Sequence, residues 1–393
     1  MELLRGNPAF RNLWLARFVS FLGDSLGLVA LIIYMTEQTD SGAAVGLLLL
    51  AGDFTPALFA PVLGAIADRS QARRTMVLCE LGQAGAVIAI VVLQPAVPAV
   101  LALVALRSLM ASVFQATSRS VVAELVDDAH LTAANTMLGF GTHGLEALGP
   151  LLAAALLLVV DARDVLAIDA ATFLVSPLLL VGLPRMSVAV ERESGLLRDA
   201  AIGIGAIWQR RLVRTLSIGF WAMAAFTAVD DVALPFLGTH TFSSNASGVS
   251  LLYAGSGIGV LAGFAILTRW KGAPIVVAVA GLAISSGGNA LTGVAPAIAL
   301  AIAMQSIRGV GNAWVGVGTD TLVQREVPRE VRGRVFANLY GGVGIAAGVS
   351  YVVGGQLVDA FGPRPVLVGG GSLGLVCAAI TAWASSERGR EPA

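Results

Sequence analysis

The sequence carries little charge for its length. Charged residues make up 13% of its 393 residues, whereas soluble domains carry about 25%, and 56% of the residues are hydrophobic. The mean hydropathy is +0.82. A soluble core cannot take up that many apolar side chains, so most of the chain is expected to lie in lipid. The net charge of zero gives no reason to expect nucleic acid as a partner.

Lysine, histidine, cysteine and aromatic residues are also scarce. The single lysine, Lys271, is followed by Gly272 where a Walker A loop needs Ser or Thr, which excludes ATP binding of that kind. Any work against a gradient would then draw on an ion gradient or on a separate subunit. The three histidines show no metal-ligand spacing, so we expect no metal and no cofactor.

Apolar segments long enough to cross a membrane recur along the chain, separated by short joints rich in Pro, Gly and charge. Twelve spans are predicted, near residues 12–35, 43–67, 75–93, 97–119, 133–160, 164–183, 212–238, 248–268, 273–293, 297–322, 335–358 and 364–385. The predicted fold class is an all-α membrane protein of twelve transmembrane helices.

Arginine predicts the orientation of these spans. With the N-terminus in the cytoplasm, only Arg163 and Arg364 fall in outer loops, and Arg107 and Arg308 fall in mid-membrane. The other basic residues lie in cytoplasmic loops or at cytoplasmic helix ends, as the positive-inside rule requires. We therefore expect a multi-pass protein of the cell membrane, inner or plasma, with both termini in the cytoplasm.

A long polar joint at 185–214 separates spans 6 and 7. Within it apolar residues such as Ile207 and Trp208 alternate with arginines, which indicates an amphipathic helix on the inner membrane face. The predicted domains are an N-terminal six-helix bundle at 1–184, a cytoplasmic linker at 185–211 and a C-terminal six-helix bundle at 212–393.

The two halves resemble each other in the placement of polar residues. Arg107 is followed by Glu124 and Asn135, and about 200 residues later Arg308 is followed by Glu326 and Asn338. Such spacing favours a parallel repeat of six spans, which makes the two predicted bundles pseudo-symmetric.

The stretch from Gly64 to Arg74 is a short cationic joint between two apolar segments. It resembles the loop between helices 2 and 3 of the major facilitator superfamily, whose pattern is roughly G-x-x-x-D-[RK]-x-G-[RK]-[RK]. The matching residues are Gly64, Asp68, Arg69, Arg73 and Arg74, while Gln71 or Ala72 stands where the second glycine belongs. The resemblance implies transport by alternating access, and no enzymatic activity.

Charged residues inside predicted spans are costly, which makes each a candidate functional residue. The candidates for substrate binding or proton coupling are Asp24, Asp53, Arg107, Glu146, Asp230, Asp231 and Arg308. Asp230 and Asp231 are about 100° apart on a helix, so at most one is expected to face a cavity squarely. Asp169 and Glu80 are interpreted instead as hydrated carboxylates near span ends. A static ion pair, for instance Asp24 with Arg107, is the alternative to a coupling role.

The superfamily resemblance adds two expectations. Spans 1, 4, 7 and 10 would line one central, water-filled cavity. The residues expected around it are Asp24, Arg107, Asp230 or Asp231, and Arg308. Asp68 would meet the start of helix 11, near Arg332 and Arg334, in one conformational state only. Gly64, Asp68, Arg69, Arg73, Arg74, Arg332 and Arg334 would then form a conformational latch.

Further motifs are similar to the branch of the superfamily that holds macrolide, multidrug and siderophore exporters. They are Arg11-Asn12-Leu13-Trp14 leading into Gly23-Asp24, Pro61 before Asp68-Arg69, and the stretch from Val327 to Phe336. The resulting hypothesis is a monomeric, proton-coupled exporter (an antiporter) of small amphipathic molecules. Alternatives are a lysophospholipid or lipid translocator, a siderophore or metabolite exporter, an importer, and a non-transporting scaffold or sensor. The expected partners are a small-molecule or lipid substrate, protons and membrane lipid.

Overall fold

A computed structural model of the chain describes residues 2–56, 58–59, 71–184, 196–270 and 272–386. These residues are almost entirely α-helical and form no β-strand. Helices of the first half are α1 (Glu2–Gly6), α2 (Pro8–Thr39), α3 (Gly42–Asp53), α4 (Ala72–Leu93), α5 (Val97–Leu125), α6 (Asp128–Leu156) and α7 (Ala162–Leu180). The predicted all-α class is confirmed.

The second half begins with α8 (Leu196–Gln209) and continues with seven further helices. They are α9 (Arg211–Thr227), α10 (Asp230–Phe236), α11 (Ala246–Leu267), α12 (Pro274–Val294), α13 (Ile298–Glu326), α14 (Arg329–Phe361) and α15 (Pro363–Ser386). Among the described residues, eight helical segments are long and apolar enough to cross a membrane. The count of twelve spans stays a prediction.

The chain divides into two compact units. Unit 1 comprises residues 1–38 and 47–192, and unit 2 comprises residues 39–46 and 193–393. The helix α8, within the stretch predicted as a linker, is part of unit 2. Its residue Ile207 is 2% exposed and packs with Val335 and Leu339 of α14. The boundaries at 184 and 211 stay predictions.

A capping hydrogen bond determines the residue at which α7 starts. It thereby determines how far the polar residues of α7 lie from that end of the helix. The backbone N–H of Asp161 donates to Oδ2 of Asp164 over 3.3 Å, which satisfies a donor at the helix N-terminus. The helix therefore starts at Ala162. Asp169 lies seven residues further on, or about 10 Å along the helix axis.

The span predicted at 212–238 is interrupted. The helix α9 ends at Thr227 and α10 begins at Asp230, with a tighter turn in which Asp231 N–H donates to the carbonyl of Ala228 over 3.2 Å. The side-chain amide of Asn289 donates to the carbonyl of Thr227 over 3.2 Å. A polar group of α12 thus hydrogen-bonds to the backbone where the helix is broken.

Glycines allow α11 and α13 to pack closely. A Cβ on Gly259 would collide with the backbone of Ser306, and one on Gly309 would collide with the backbone of Ser256. Small residues on both helices therefore allow this reciprocal backbone contact.

The start of α3 is capped by a residue of α14 within unit 2. Oδ1 of Asp359 accepts from Gly42 N–H over 2.5 Å, and Oδ2 accepts from Ala43 N–H over 3.0 Å and from the Ser41 hydroxyl over 3.1 Å. A carboxylate at a helix N-terminus satisfies free N–H groups and complements the helix dipole.

Candidate transport site

Unit 1 contains a buried ion pair between its first and fourth long helices. Nη2 of Arg107, on α5, donates to Oδ1 of Asp24, on α2. The Arg107 side chain is 12% exposed and Asp24 is 28% exposed. The guanidinium also lies over the ring of Phe173, 5.4 Å from its centroid. Arg107 is therefore held by a carboxylate and an aromatic face together.

A cavity of about 420 Å³ opens beside this pair, lined by α2, the α3 region and α5. Its wall brings together three of the predicted site residues, Asp24, Asp53 and Arg107. Apolar side chains such as Phe21 and Leu48 also line it. The wall therefore combines charged groups with hydrocarbon, as a site for a small amphipathic molecule requires.

The interpretation of Asp169 as a hydrated carboxylate near a span end is wrong. Its side chain is 0% exposed, and Oδ2 lies 3.6 Å from Nη2 of Arg107. The carboxylate rests against α2 at Gly23 and Gly27, where a methyl group at either glycine would collide with it. The small residues let α7 approach α2 closely enough to bury the acid.

Glu80 is also buried rather than hydrated. It lies eight residues after the start of α4, about 12 Å along the helix, and is 0% exposed. The sequence placed both acids near span ends because their helices begin two or three residues before the predicted spans. The spacing Gly23-x-x-x-Gly27 was the available signal for a helix packed closely at Asp169.

Unit 2 contains a matching ion pair. Nη2 of Arg308, on α13, lies 2.8 Å from both oxygens of Asp230, on α10, and its Nη1 donates to Ser256 over 3.3 Å. Asp230 is 0% exposed. Asp231 points elsewhere, because its Oδ2 accepts a hydrogen bond from the hydroxyl of Tyr351 over 3.2 Å.

The two pairs occupy equivalent places in the two halves. In each half the aspartate belongs to the first predicted span and the arginine to the fourth, although Asp230 lies on the short helix α10 after the break in its span. The sequence separations are 83 and 78 residues. The helices α12 and α13 of unit 2 are joined by neutral polar side chains: Gln305 donates to Thr292 over 3.3 Å, and Ser285 donates to Asn312 over 2.7 Å. Sequence reasoning did not identify these residues, because a neutral side chain gives no charge signal within an apolar run.

The repeated ion pairs and the helical composition indicate which protein family the chain belongs to. The sequence matches the family description "Major Facilitator Superfamily" over residues 13–343. The chain belongs to the Major Facilitator Superfamily. It is a multi-pass membrane transporter of small molecules rather than an enzyme.

Relatives within the Major Facilitator Superfamily include named exporters. The chain is 22% identical over 387 residues to macrolide efflux protein A of Streptococcus pyogenes, covering 94% of each chain. It is 24% identical over 349 residues to the enterobactin exporter EntS of Escherichia coli, covering 85% of this chain and 82% of the relative. An uncharacterized MFS-type transporter of Bacillus subtilis is 24% identical over 372 residues, with 92% and 89% covered.

Solved structures agree on the Major Facilitator fold. The nucleoside transporter NupG superposes with a TM-score of 0.79 at 14% identity, covering 96% of this chain and 99% of that chain. A bacterial homolog of the human lysosomal transporter Spinster, inward-facing and occupied, gives a TM-score of 0.76 at 16% identity, with 96% of each chain covered.

The remaining predicted residues fall into two groups. Gly64, Asp68 and Arg69 lie outside the described residues, as does the side chain of Glu146, whose backbone is part of α6. Arg73, Arg74, Arg332 and Arg334 are described. The latch as a whole stays a prediction.

Two of the arginines predicted for the latch, Arg73 and Arg332, make contacts inside their own units. Arg73 donates to the carbonyl of Leu183 over 3.2 Å. Nη2 of Arg332 donates to the carbonyls of Gln324 and Val327 over 2.6 and 3.1 Å, joining the end of α13 to the start of α14. Both arginines therefore also stabilise local backbone.

Proposed function

We propose that this transporter exports small amphipathic molecules in exchange for protons, by alternating access. The observation that carries the proposal is the placement of Asp24: its carboxylate pairs with Arg107 and also lines the cavity. A proton or a cargo molecule that reaches Asp24 has to compete with Arg107, so both ligands affect the same ion pair. That competition is the physical requirement for exchange.

The energy available from protons is sufficient for export. A membrane potential of about 100 mV supplies about 2.3 kcal/mol for each charge moved. This sustains roughly a fiftyfold gradient of a neutral cargo for each proton exchanged. Two of the relatives, a macrolide efflux protein and an enterobactin exporter, support outward transport of amphipathic cargo.

The proposal can be tested with the full-length protein in liposomes. An acidic lumen is imposed, and accumulation of a radiolabelled macrolide is measured against liposomes without protein. We expect gradient-driven accumulation by the native protein and its loss in Asp24→Asn, with downhill exchange retained. Asp127→Asn, an exposed aspartate between α5 and α6, is the matched control and should transport normally.

Two results would contradict the proposal. One is accumulation by Asp24→Asn equal to that of the native protein. The other is no accumulation above protein-free liposomes for a macrolide, enterobactin and a lysophospholipid in turn.

A second candidate, translocation of a lysophospholipid or another lipid, is favoured by a separate cavity in unit 2. It measures about 400 Å³ and lies between α9, α14 and α15. Its lining is nearly all apolar and includes Phe226, Leu357 and Phe361, which are 37%, 40% and 66% exposed. Such a surface suits an acyl chain. Macrolide accumulation that is absent while lysophospholipid moves would select this candidate.

A further inference from the structure

Glu80 is a buried acid that forms no ion pair among the described residues. Its side chain is 0% exposed, and the hydrogen-bonding groups beside it are the hydroxyls of Ser20 and Ser176, neither of which meets its oxygens in full hydrogen-bond geometry. One turn further along α4, the amide of Gln83 is 1% exposed and has no hydrogen-bond partner in the described part of the chain. An ionised carboxylate in such a place is costly, whereas a neutral carboxyl group is tolerated.

The groups that face Glu80 come from three neighbouring helices and from α4 itself. They are Ser20 and Asp24 on α2, Arg107 on α5, Asp169 and Ser176 on α7, and Cys79 beside it on α4. The hydroxyls of Ser20 and Ser176 can donate or accept. A protonated carboxyl group, which also donates and accepts, can satisfy both hydroxyls, whereas an ionised one only accepts.

The number of charged groups around Arg107 also favours a protonated Glu80. Three carboxylates, Asp24, Asp169 and Glu80, surround one guanidinium, that of Arg107. Arg107 bonds to Asp24 and lies 3.6 Å from Asp169, so its charge is already shared between two acids. With all three acids ionised, the one guanidinium of Arg107 would face three negative charges, because Arg17, the other buried arginine in the described part of unit 1, donates to Ser118.

The acids Glu80 and Asp169 have no counterparts in unit 2. The third and sixth long helices of unit 1, α4 and α7, carry Glu80 and Asp169 in their interiors. Their counterparts α12 and α15 contain no acidic residue. The repeat symmetry therefore fails at the two acids that have no role in the cavity wall, since neither Glu80 nor Asp169 lines it.

We propose that Glu80 and Asp169 form a proton-binding site in the interior of unit 1, distinct from the Asp24–Arg107 pair that lines the cavity. A proton bound here leaves Arg107 to pair with Asp24 alone. Release of the proton restores a competing charge at Asp169 and draws Arg107 away from the cavity wall. Proton occupancy is thereby linked to the state of the cargo cavity.

The use of this site in transport rests on the proposed function, but proton binding itself does not. It can be measured without any cargo. The full-length protein in lipid nanodiscs is studied by infrared difference spectroscopy between neutral and alkaline pH, where exposed carboxylates are ionised at both endpoints, using the carbonyl band of protonated carboxylic acids. We expect such a band at neutral pH in the native protein, and its loss in Glu80→Gln.

Matched variants separate a proton site from a structural role. Asp127→Asn, which removes an exposed acid, should leave the band intact, and Glu80→Asp should restore a band at a shifted position. Asp169→Asn should change the band, because it removes the neighbouring charge. Size-exclusion profiles establish that each variant is folded.

Three outcomes would overturn the inference. They are a Glu80→Gln spectrum that superimposes on the native one, no protonated acid in the native protein at neutral pH, and a band that appears only when sodium is replaced by choline. The last would assign the acids to a metal cation. A normal Glu80-dependent band together with failed proton-driven accumulation would refute the proposed function alone.

Discussion

Arg308 holds Asp230 in unit 2 through two contacts of 2.8 Å, in the position where Arg107 holds Asp24 in unit 1. The two pairs differ in their exposure. Asp230 is completely buried, whereas Asp24 keeps 28% of its side chain exposed to the cavity. We therefore expect the unit 2 pair to contribute mainly to stability and the unit 1 pair to contribute to exchange.

The first prediction concerns Arg308→Met. It leaves the carboxylate of Asp230 buried without a cation, which is expected to lower the free energy of unfolding by about 3–5 kcal/mol. Adding Asp230→Leu should recover most of the loss, because an apolar pair of similar volume tolerates burial. The measurement is thermal unfolding of the purified proteins in detergent, arranged as a double-mutant cycle. A double variant no more stable than Arg308→Met would contradict the prediction.

The second prediction concerns Gly27→Ala in α2. The added methyl group collides with the Asp169 carboxylate, so α7 has to shift, at a cost of about 1–3 kcal/mol. Gly85→Ala in α4 is the matched control, since a Cβ there meets nothing within 4 Å. Gly27→Ala should lower the melting temperature and Gly85→Ala should not. Equal melting temperatures for the two variants would show that α2 and α7 are not packed as described.

The third prediction concerns Asp359→Ala. Loss of the cap at the start of α3 removes three hydrogen bonds, and we expect a destabilisation of about 1 kcal/mol. Asp359→Asn should lose little, because asparagine caps helices about as well as aspartate. Thermal unfolding measures the loss of stability, and hydrogen exchange at Gly42 and Ala43 locates it. Faster exchange elsewhere in α3 but not at these two residues would count against the cap.

The fourth prediction concerns Gly259→Leu in α11. The side chain cannot fit against the backbone of Ser306, so α11 and α13 have to separate. Gly316→Leu on α13 is the control, because no atom lies within 4 Å of a Cβ at that position. We expect the first variant to lose folded yield on size exclusion and the second to keep it. Similar yields would argue that other contacts hold the two helices together.

Sequence reasoning predicted the fold class and the family, because long apolar runs and the motif from Gly64 to Arg74 are visible without coordinates. It also proposed Asp24 with Arg107 as a pair. It predicted the wrong environment for Asp169. The burial of this side chain depends on the packing of α2 against α7, and its distance from the end of the span does not determine that packing. The choice between Asp230 and Asp231 was out of reach for a related reason, since the break before α10 alters the direction of both side chains.

The interruption between α9 and α10 has a mechanical consequence. Asp230 is the first residue after the break, and its partner Arg308 belongs to the uninterrupted helix α13. Bending at Ala228 and Val229 would swing the carboxylate relative to the guanidinium while both ends of the span stay anchored. A small change in the angle between α9 and α10 would therefore make or break the ion pair between Asp230 and Arg308.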